Sequence, residues 1–304
     1  MFKFLNIFKK NKKELKKELD PVEVEKLKEL INKVKLNSIE VKLDENNKEE
    51  FRLGKSKIGG IPDLPTNFNC YYYEAESLFD GVIKSRPLSF LAQFNLEEIS
   101  IYDTENRLPK KGILYFFYEI ESMKWGFDPK DKGCARVFYY EGEIDKLVPT
   151  NPPKEISKDY ILPEINIQFS TKYNAPDFSE IFDNPKNYIE GYSEMVEKLN
   201  YTPIKDYPTK LLGYSDNIQF DMTLECQLVT NGLFCGDATG YNSDRREELE
   251  KSKNQWKLLF QFASLETDDY MLMFGDSGLI YFYIKEEDLK NKNFENVWVI
   301  LQCD

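Results

Sequence analysis

The chain has 304 residues, of which 41% are hydrophobic and 14% aromatic, and its net charge is −12. This composition supplies a large apolar interior and excludes disorder over most of the chain. Seven lysines and one glutamate give residues 1–17 a charge of +6, which leaves −18 on residues 18–304. Phosphate contacts need a basic face, so we expect no nucleic-acid partner. The acidity suits a basic protein partner, although it also serves solubility.

The five cysteines lie at positions 70, 134, 226, 235 and 303, and no two of them form a C-x-x-C pair. This pattern suits reduced thiols in a cytoplasmic protein better than a zinc site or a disulfide framework. The longest apolar runs resemble residues 113–118 and fall far short of the ~20 residues that span a bilayer. We therefore expect a soluble cytoplasmic protein without a metal or a cofactor.

Residues 1–20 form a basic N-terminal segment in which bulky apolar side chains alternate with lysines, unlike a secretory signal. Residues 1–17 could contact a membrane surface as an amphipathic helix, or they could form a helix docked on the body or a frayed terminus. From Pro21 onward, apolar residues at positions 24, 27, 30, 31 and 34 predict a helix.

A pair of segments occurs twice in the chain. FLAQF at residues 90–94 recurs as LLFQF at 258–262, and GILYFFY at 112–118 recurs as GLIYFYI at 278–284. The same order in both copies predicts an internal duplication. We expect residues 21–304 to form a single body, with a first repeat at about 50–148, an inserted region at about 149–205 and a second repeat at about 206–304.

Other elements follow from local patterns. Aromatic and β-branched residues predict strands at 137–140 and 297–301, and alternation at 165–170 predicts a half-exposed strand. Apolar residues on one face predict a helix at 185–200, and the charged stretch 244–253 indicates a solvated helix or loop.

The sequence GDSG at 275–278 resembles the surroundings of a protease serine. The chain contains no histidine, so the usual catalytic triad cannot form, and nothing singles out a lysine to replace it. We interpret the segment as a tight turn, in which Asp276 bonds backbone amides and Gly278 adopts a positive φ. We assign no catalytic residue.

Gln93 and Gln261 occupy equivalent positions inside the two apolar segments. Each could satisfy backbone groups at a strand end, or both could bind a ligand in a cleft between the halves. Asp216, Asp221 and Asp276 are the candidate carboxylates for such a cleft, although no paired-carboxylate or calcium-loop spacing is present. Phosphate-binding glycine loops are also missing.

Several motifs follow one another in a fixed order over residues 50–304, and together they resemble the YwqG-like family of bacterial proteins. The resemblance implies an α+β fold with largely antiparallel sheets and internal duplication, and it brings no assigned reaction. Many relatives carry a cysteine pair that resembles a small metal knuckle, whereas only Cys70 stands in that region here, so no metal role follows. The motifs are residues 58–65, 87–96, 108–117, 211–214, 218–219, 258–261, 274–278 and 297–303.

Members of this family tend to occur in settings that suggest immunity or antitoxin functions, in which an intracellular protein binds and silences a toxin. The resemblance therefore implies a protein-binding role of this kind. Our leading hypothesis is a non-enzymatic cytoplasmic binding protein whose acidic body masks a basic protein partner. The alternative is a hydrolase or small-ligand-binding protein with a carboxylate site in the cleft between the two halves. Electrostatic steering would make the first kind of association sensitive to salt.

Overall fold

The computed structural model describes residues 20–45, 47, 52–76, 81–176, 191–201 and 209–304. The basic segment 1–17 and residues 185–190 of the predicted inserted helix lie outside these ranges. In the described part, strands dominate and the sheets are antiparallel, with helices attached at their edges and faces. The predicted α+β class with largely antiparallel sheets is confirmed.

The predicted N-terminal helix is present as α1, Pro21–Val34. It begins with a capping box, because the Asp20 carboxylate accepts a hydrogen bond from the Glu23 N–H and the Glu23 carboxylate accepts one from the Asp20 N–H at 3.3 Å. The other helices in the described residues are α2 Leu96–Ile99, α3 Tyr192–Lys198, α4 Met222–Val229, α5 Ala238–Tyr241, α6 Arg246–Glu250 and α7 Glu286–Lys290.

The strands of the described residues form one six-stranded sheet, one four-stranded sheet and three strand pairs. They are β1 Leu36–Asp44, β2 Lys57–Ile58, β3 Asp63–Pro65, β4 Tyr72–Glu76, β5 Ile83–Pro87, β6 Ser89–Asn95, β7 Ile113–Tyr118, β8 Ala135–Tyr140, β9 Leu147–Pro149, β10 Asn166–Asn174, β11 Lys210–Leu212, β12 Trp256–Ala263, β13 Leu265–Glu266, β14 Met271–Leu272, β15 Leu279–Lys285 and β16 Trp298–Gln302.

The two large sheets contain matching sets of strands. The four-stranded sheet has the order β2-β6-β7-β8, and the six-stranded sheet has the order β10-β1-β11-β12-β15-β16. We call β2, β6, β7 and β8 the first unit, and β11, β12, β15 and β16 the second unit. An antiparallel bridge between Ile58 and Ile165, the residue before β10, joins the first unit to the edge of the larger sheet. The strands therefore follow one another continuously from β8 to β16.

The two units share local irregularities as well as strand order. The register between β6 and β7 shifts between Phe90 and Ala92, and that between β12 and β15 shifts between Leu258 and Phe260. Such shifts mark β-bulges, and their equivalent positions give both units the same bend. Two consecutive residues with positive φ also lie at the end of each first strand, at 59–60 directly after β2 and at 212–213, where Leu212 is the last residue of β11.

A single apolar core lies between the two units. The ring centroids of Phe116 in β7 and Phe260 in β12 are 4.5 Å apart, and Phe116 lies 5.2 Å from Phe282 in β15. Phe94 of β6 also contacts Phe260, at 5.2 Å. All four rings are fully buried. The two units therefore pack as one sheet system around a shared core, and aromatic side chains fill the space where the sequence hypothesis placed a cleft.

Candidate functional site

A buried polar network lies at the start of the second unit. The Asp216 N–H donates to Gln261 Oε1 at 2.9 Å, and Gln261 Nε2 donates to Asp216 Oδ2 at 2.8 Å. Lys210 Nζ lies 2.6 Å from Asp216 Oδ1, and Tyr281 Oη donates to the Asp216 carbonyl at 2.7 Å. Strand register places Lys210 and Tyr281 on either side of Gln261. Three neighbouring strands thus direct one side chain each toward Asp216.

The first unit contains the same four residue types in the same arrangement. The Asp63 N–H donates to Gln93 Oε1 at 2.9 Å, and Gln93 Nε2 donates to Asp63 Oδ2 at 2.8 Å. Tyr115 Oη donates to the Asp63 carbonyl. Lys57 Nζ lies 3.9 Å from Asp63 Oδ2 and 2.5 Å from Glu164 Oε1. The networks differ mainly in this additional carboxylate.

Both networks fix the loop that follows the first strand of a unit. Gln93 and Gln261 are fully buried, and each holds the backbone and the carboxylate of its aspartate together. A buried carboxylate requires a cation and hydrogen-bond donors, since an uncompensated charge in the interior is strongly unfavourable. The arrangement therefore holds each loop in one conformation against its sheet.

A cavity of about 290 Å³ opens in the second unit, beside the loop that the Asp216 network fixes. Its apolar wall includes Trp256, Leu258 and Tyr283, from β12 and β15. Leu258 and Tyr283 are paired residues on adjacent strands, next to the bulge. Trp256 is held in place because its indole N–H donates to Gln227 Oε1 at 2.9 Å. We call this cavity the second-unit pocket.

The opposite wall of the second-unit pocket is polar. Asp221 caps helix α4, and its Oδ1 accepts hydrogen bonds from the Thr223 N–H at 2.9 Å and the Thr223 hydroxyl at 2.8 Å. Lys253 Nζ lies 4.0 Å from Asp221 Oδ2, and the Asp221 side chain is 27% exposed. Ser215 Oγ accepts from Tyr283 Oη at 2.6 Å. The carboxylate is thus anchored by the helix and still accessible to a ligand.

Lys257 adds a second charged group to the lining of the second-unit pocket. Partial burial lowers the pKa of Lys257, and the nearby Glu286 carboxylate acts in the opposite direction. Arg107 and Lys290 also lower this pKa, since like charges disfavour the protonated amine. The pocket therefore has an anionic group and a cationic group in its walls.

The first unit has a groove at the equivalent position. Phe90 and Phe117 are the paired residues next to the bulge there, as Leu258 and Tyr283 are in the second unit. Phe68 lines this groove and lies eight residues after Gly60, and Asp221 lies eight residues after Gly213. The groove retains a cavity of only about 30 Å³. The second-unit pocket is therefore the open counterpart of a nearly filled groove.

The chain itself fills the groove of the first unit. Residues 150–153, 156 and 160–161 line it, and the Thr150 N–H donates to the Pro62 carbonyl at 2.9 Å. This segment leads to Ile165, which pairs with Ile58 of β2. In the second unit, the strand that pairs with β11 is β1, and the segment before it is helix α1.

Helix α1 leaves the second-unit pocket open because it packs elsewhere. Leu27 and Ile31 of α1 form a separate apolar cluster with Tyr192, Met195 and Val196 of α3. The burial of these residues holds α1 against the inserted region. The segment before β10 therefore fills the groove of the first unit, whereas helix α1, which precedes β1, leaves the equivalent groove of the second unit open.

The candidate residues from the sequence occupy distinct places. Asp216 and Gln261 are in direct contact beside the second-unit pocket, and Gln93 makes the equivalent contacts in the first unit. Asp221 lines the pocket itself. Asp276 lies in an exposed turn near the C-terminus, where its carbonyl accepts from the Asp304 N–H at 3.3 Å. The structure thus brings two of the five candidates, Asp216 and Gln261, into contact and places a third, Asp221, in the lining of the neighbouring pocket.

The turn at residues 275–278 differs in detail from the sequence expectation. The positive φ values belong to Gly275, at 61°, and Ser277, at 54°. Gly278 is required for a different reason, because a Cβ there would lie 2.3 Å from the Gln302 carbonyl and 2.4 Å from that of Phe274. Ser277 is exposed, as expected for a turn residue.

Residues of both networks were missed by the sequence interpretation. Asp63 lies six positions after Lys57, as Asp216 does after Lys210, and Tyr115 and Tyr281 occupy equivalent places in the repeated strands. These spacings could have extended the repeat to the first strand of each unit. The signal was weak because β2 and β11 are only two and three residues long.

A titratable group near the second-unit pocket lies inside the protein. Burial raises the pKa of Glu225 in α4 to about 7, and a hydrogen bond with Tyr241 counteracts this in part. Burial next to Glu225 also raises the pKa of the Cys235 thiol to about 12. Glu225 thus lies in an environment that favours the neutral acid.

No helix in the described ranges is long and apolar enough to cross a membrane. The search of those same residues finds no group of three or more histidine, cysteine or acidic side chains that could hold a metal ion.

The fold and the paired networks define an α+β protein built from two matching antiparallel units. A family model described as Domain of unknown function (DUF1963) matches residues 56–303, so the chain belongs to this family. The matched range contains both units, both networks and most of the second-unit pocket. No curated protein matches the chain.

Proposed function

We propose that the protein is a non-enzymatic binding protein whose ligand occupies the second-unit pocket. The observation that carries this proposal is the difference between two equivalent grooves, one filled by the chain and the other open with a volume of about 290 Å³. Binding sites are typically preformed concave surfaces with apolar walls and a few placed polar groups. Trp256, Leu258 and Tyr283 supply the apolar wall, and Asp221 and Ser215 supply polar groups.

This proposal moves the carboxylate site away from the centre of the molecule. The sequence hypothesis placed it in a cleft between the halves, where the aromatic core lies. The rigid surroundings of the pocket support a binding role, because the Asp216 network fixes the neighbouring loop and helix α4 holds Asp221. A fixed polar wall lowers the entropic cost of binding.

A thermal-shift screen of small polar and amphipathic compounds tests this proposal on the full chain. Compounds that bind the pocket should raise the melting temperature of the wild type. They should not raise that of Asn254→Trp, in which an exposed side chain at the pocket rim is replaced by a large one. Asn291→Trp is the matched control, since Asn291 is exposed at the end of α7. Hits that stabilise Asn254→Trp equally would contradict the proposal.

A second proposal concerns a protein partner and is supported by charge. With −18 on residues 18–304, the body would attract a basic partner by long-range steering. We further propose that the chain is a YwqG-like member of its family and acts in the cytoplasm as an immunity or antitoxin protein. The ordered motifs support the first of these proposals, and the five free cysteines suit a reducing compartment.

A further inference from the structure

We propose that the second-unit pocket binds an extended peptide segment of a partner protein, with a cationic side chain of that peptide facing Asp221. This inference rests on the proposed function of the pocket and names its ligand class. In the first unit, a segment of the same chain lines the equivalent groove through residues 150–153 and 156. Among the residues that the structure describes, a chain segment thus lines one groove and none fills the other.

The backbone contact of the first groove supports a peptide as the ligand. There, the Thr150 N–H donates to the Pro62 carbonyl at 2.9 Å. Pro62 lies two residues after Gly60. Ser215 lies two residues after Gly213 and lines the second-unit pocket. Across the described residues, no backbone N–H donates to the Ser215 carbonyl. A peptide in the pocket would supply the equivalent donor and gain affinity through main-chain hydrogen bonding.

The side chains of the two grooves indicate which peptide the second one would select. Phe68 and Cys70 line the first groove, and Asp221 and Thr223 replace them at the equivalent positions of the second. This exchange brings a partly exposed carboxylate to a wall that is otherwise apolar in the first unit. Lys253 approaches Asp221 only to 4.0 Å, and it lies on the side of α6 where it also contacts Glu250 at 3.8 Å. A lysine or arginine of the peptide would therefore find an acceptor at Asp221.

Apolar contacts would provide the remaining affinity. Leu258 and Tyr283 occupy the positions at which Phe90 and Phe117 line the groove of the first unit. An extended chain presents alternate side chains to the surface beneath it, so one apolar residue can face this wall while a neighbouring basic residue reaches Asp221. The apolar wall and Asp221 together thus suit a short amphipathic sequence whose positive charge faces Asp221, while Lys257 gives the lining a cationic group elsewhere.

Selection of a displayed library of random linear peptides on the full-length protein tests this inference. We expect enrichment of peptides with a lysine or arginine near an apolar residue. Their binding should be lost in Asn254→Trp and retained in Asn291→Trp. In Asp221→Asn, which keeps a good helix cap, the dissociation constant should rise about five- to tenfold. Asp276→Asn, a carboxylate change outside the pocket, should leave it unchanged.

The outcomes separate this inference from the proposed function. Failure to enrich any peptide, or peptides that bind Asn254→Trp as well as the wild type, would overturn the peptide inference. Small compounds that still require an open pocket in the thermal-shift screen would then leave the proposed function standing. Equal loss of binding in Asn254→Trp and Asn291→Trp would also overturn the inference, because it would show a general effect of surface tryptophan. Melting curves of all four variants establish that each is folded.

Discussion

Lys210 and Asp216 form an ion pair in which both side chains are almost completely buried, with 2.6 Å between Nζ and Oδ1. Gln261 holds the second carboxylate oxygen, so Asp216 is compensated on both sides. An ion pair of this kind contributes little net stability relative to apolar residues, but the loss of one partner leaves an unpaired charge in the interior. The pair therefore fixes the conformation of the loop beside the second-unit pocket.

Replacement of Lys210 by methionine tests the cost of breaking this pair. We expect Lys210→Met to lower the free energy of unfolding by about 3–5 kcal/mol, since Asp216 would remain buried without its cation. Urea unfolding measures the change. The control is Lys290→Met, which removes an exposed pair with Glu286 at 2.9 Å and should cost at most about 1 kcal/mol. Similar losses in both variants would contradict the assigned role of the network.

Glu225 predicts a dependence of stability on pH. Burial raises the pKa of its carboxyl to about 7 in the folded protein, so the folded state keeps a proton that the unfolded chain releases near its ordinary pKa of about 4.5. The contribution of neutral Glu225 to the free energy of unfolding is fully present below about pH 4.5 and is lost as the pH rises toward 7. It amounts to on the order of 3 kcal/mol.

Unfolding free energies of Glu225→Gln, measured between pH 4.5 and 8, check this contribution. The glutamine variant should lose less stability than the wild type as the pH rises, because a neutral amide carries no charge into the interior. Glu247→Gln, at an exposed position of α6, should follow the wild type. An unchanged pH profile in Glu225→Gln would show that another group titrates.

Replacement of Ser277 by glycine is expected to stabilise the protein. Its φ of 54° lies in the left-handed region, which costs an ordinary residue about 1–2 kcal/mol. Glycine avoids this cost but loses more chain entropy, so Ser277→Gly should stabilise the protein by about 0.5 kcal/mol and raise its melting temperature slightly. Ser277→Ala keeps the strain and should not be stabilised. A gain in both variants would point to the hydroxyl group rather than the backbone.

The proposed basic partner predicts a salt effect. Association rates with a candidate partner should fall steeply as ionic strength increases, because exposed charges are screened beyond about 8–10 Å. Surface plasmon resonance at several salt concentrations measures the rates. An association rate that is independent of salt would remove the support that the charge of the body gives to this proposal.

The sequence predicted the repeated strands well because their apolar residues follow one another without interruption. It missed β1, in which Asn37 and Ser38 are buried, and α4, in which Glu225 and Gln227 are buried. Buried polar residues erase the amphipathic pattern on which such predictions depend. Tertiary contacts, rather than local sequence, satisfy these groups.

The candidate site was predictable only in part. Gln93 and Gln261 stood out because they interrupt apolar segments at equivalent positions, and both prove to be centres of buried networks. The second-unit pocket could not be predicted, since it depends on the path of two distant segments. One of them fills its groove, and helix α1 instead packs against α3. Tertiary packing determines the paths of these two segments, and no local sequence pattern indicates them.

A crystal structure of the full chain with its strongest-binding peptide or compound tests the central claim most directly. We predict electron density for the ligand against Trp256, Leu258 and Tyr283, with a polar contact to Ser215 or Asp221. A ligand bound elsewhere on the surface, with the second-unit pocket unoccupied, would contradict the account.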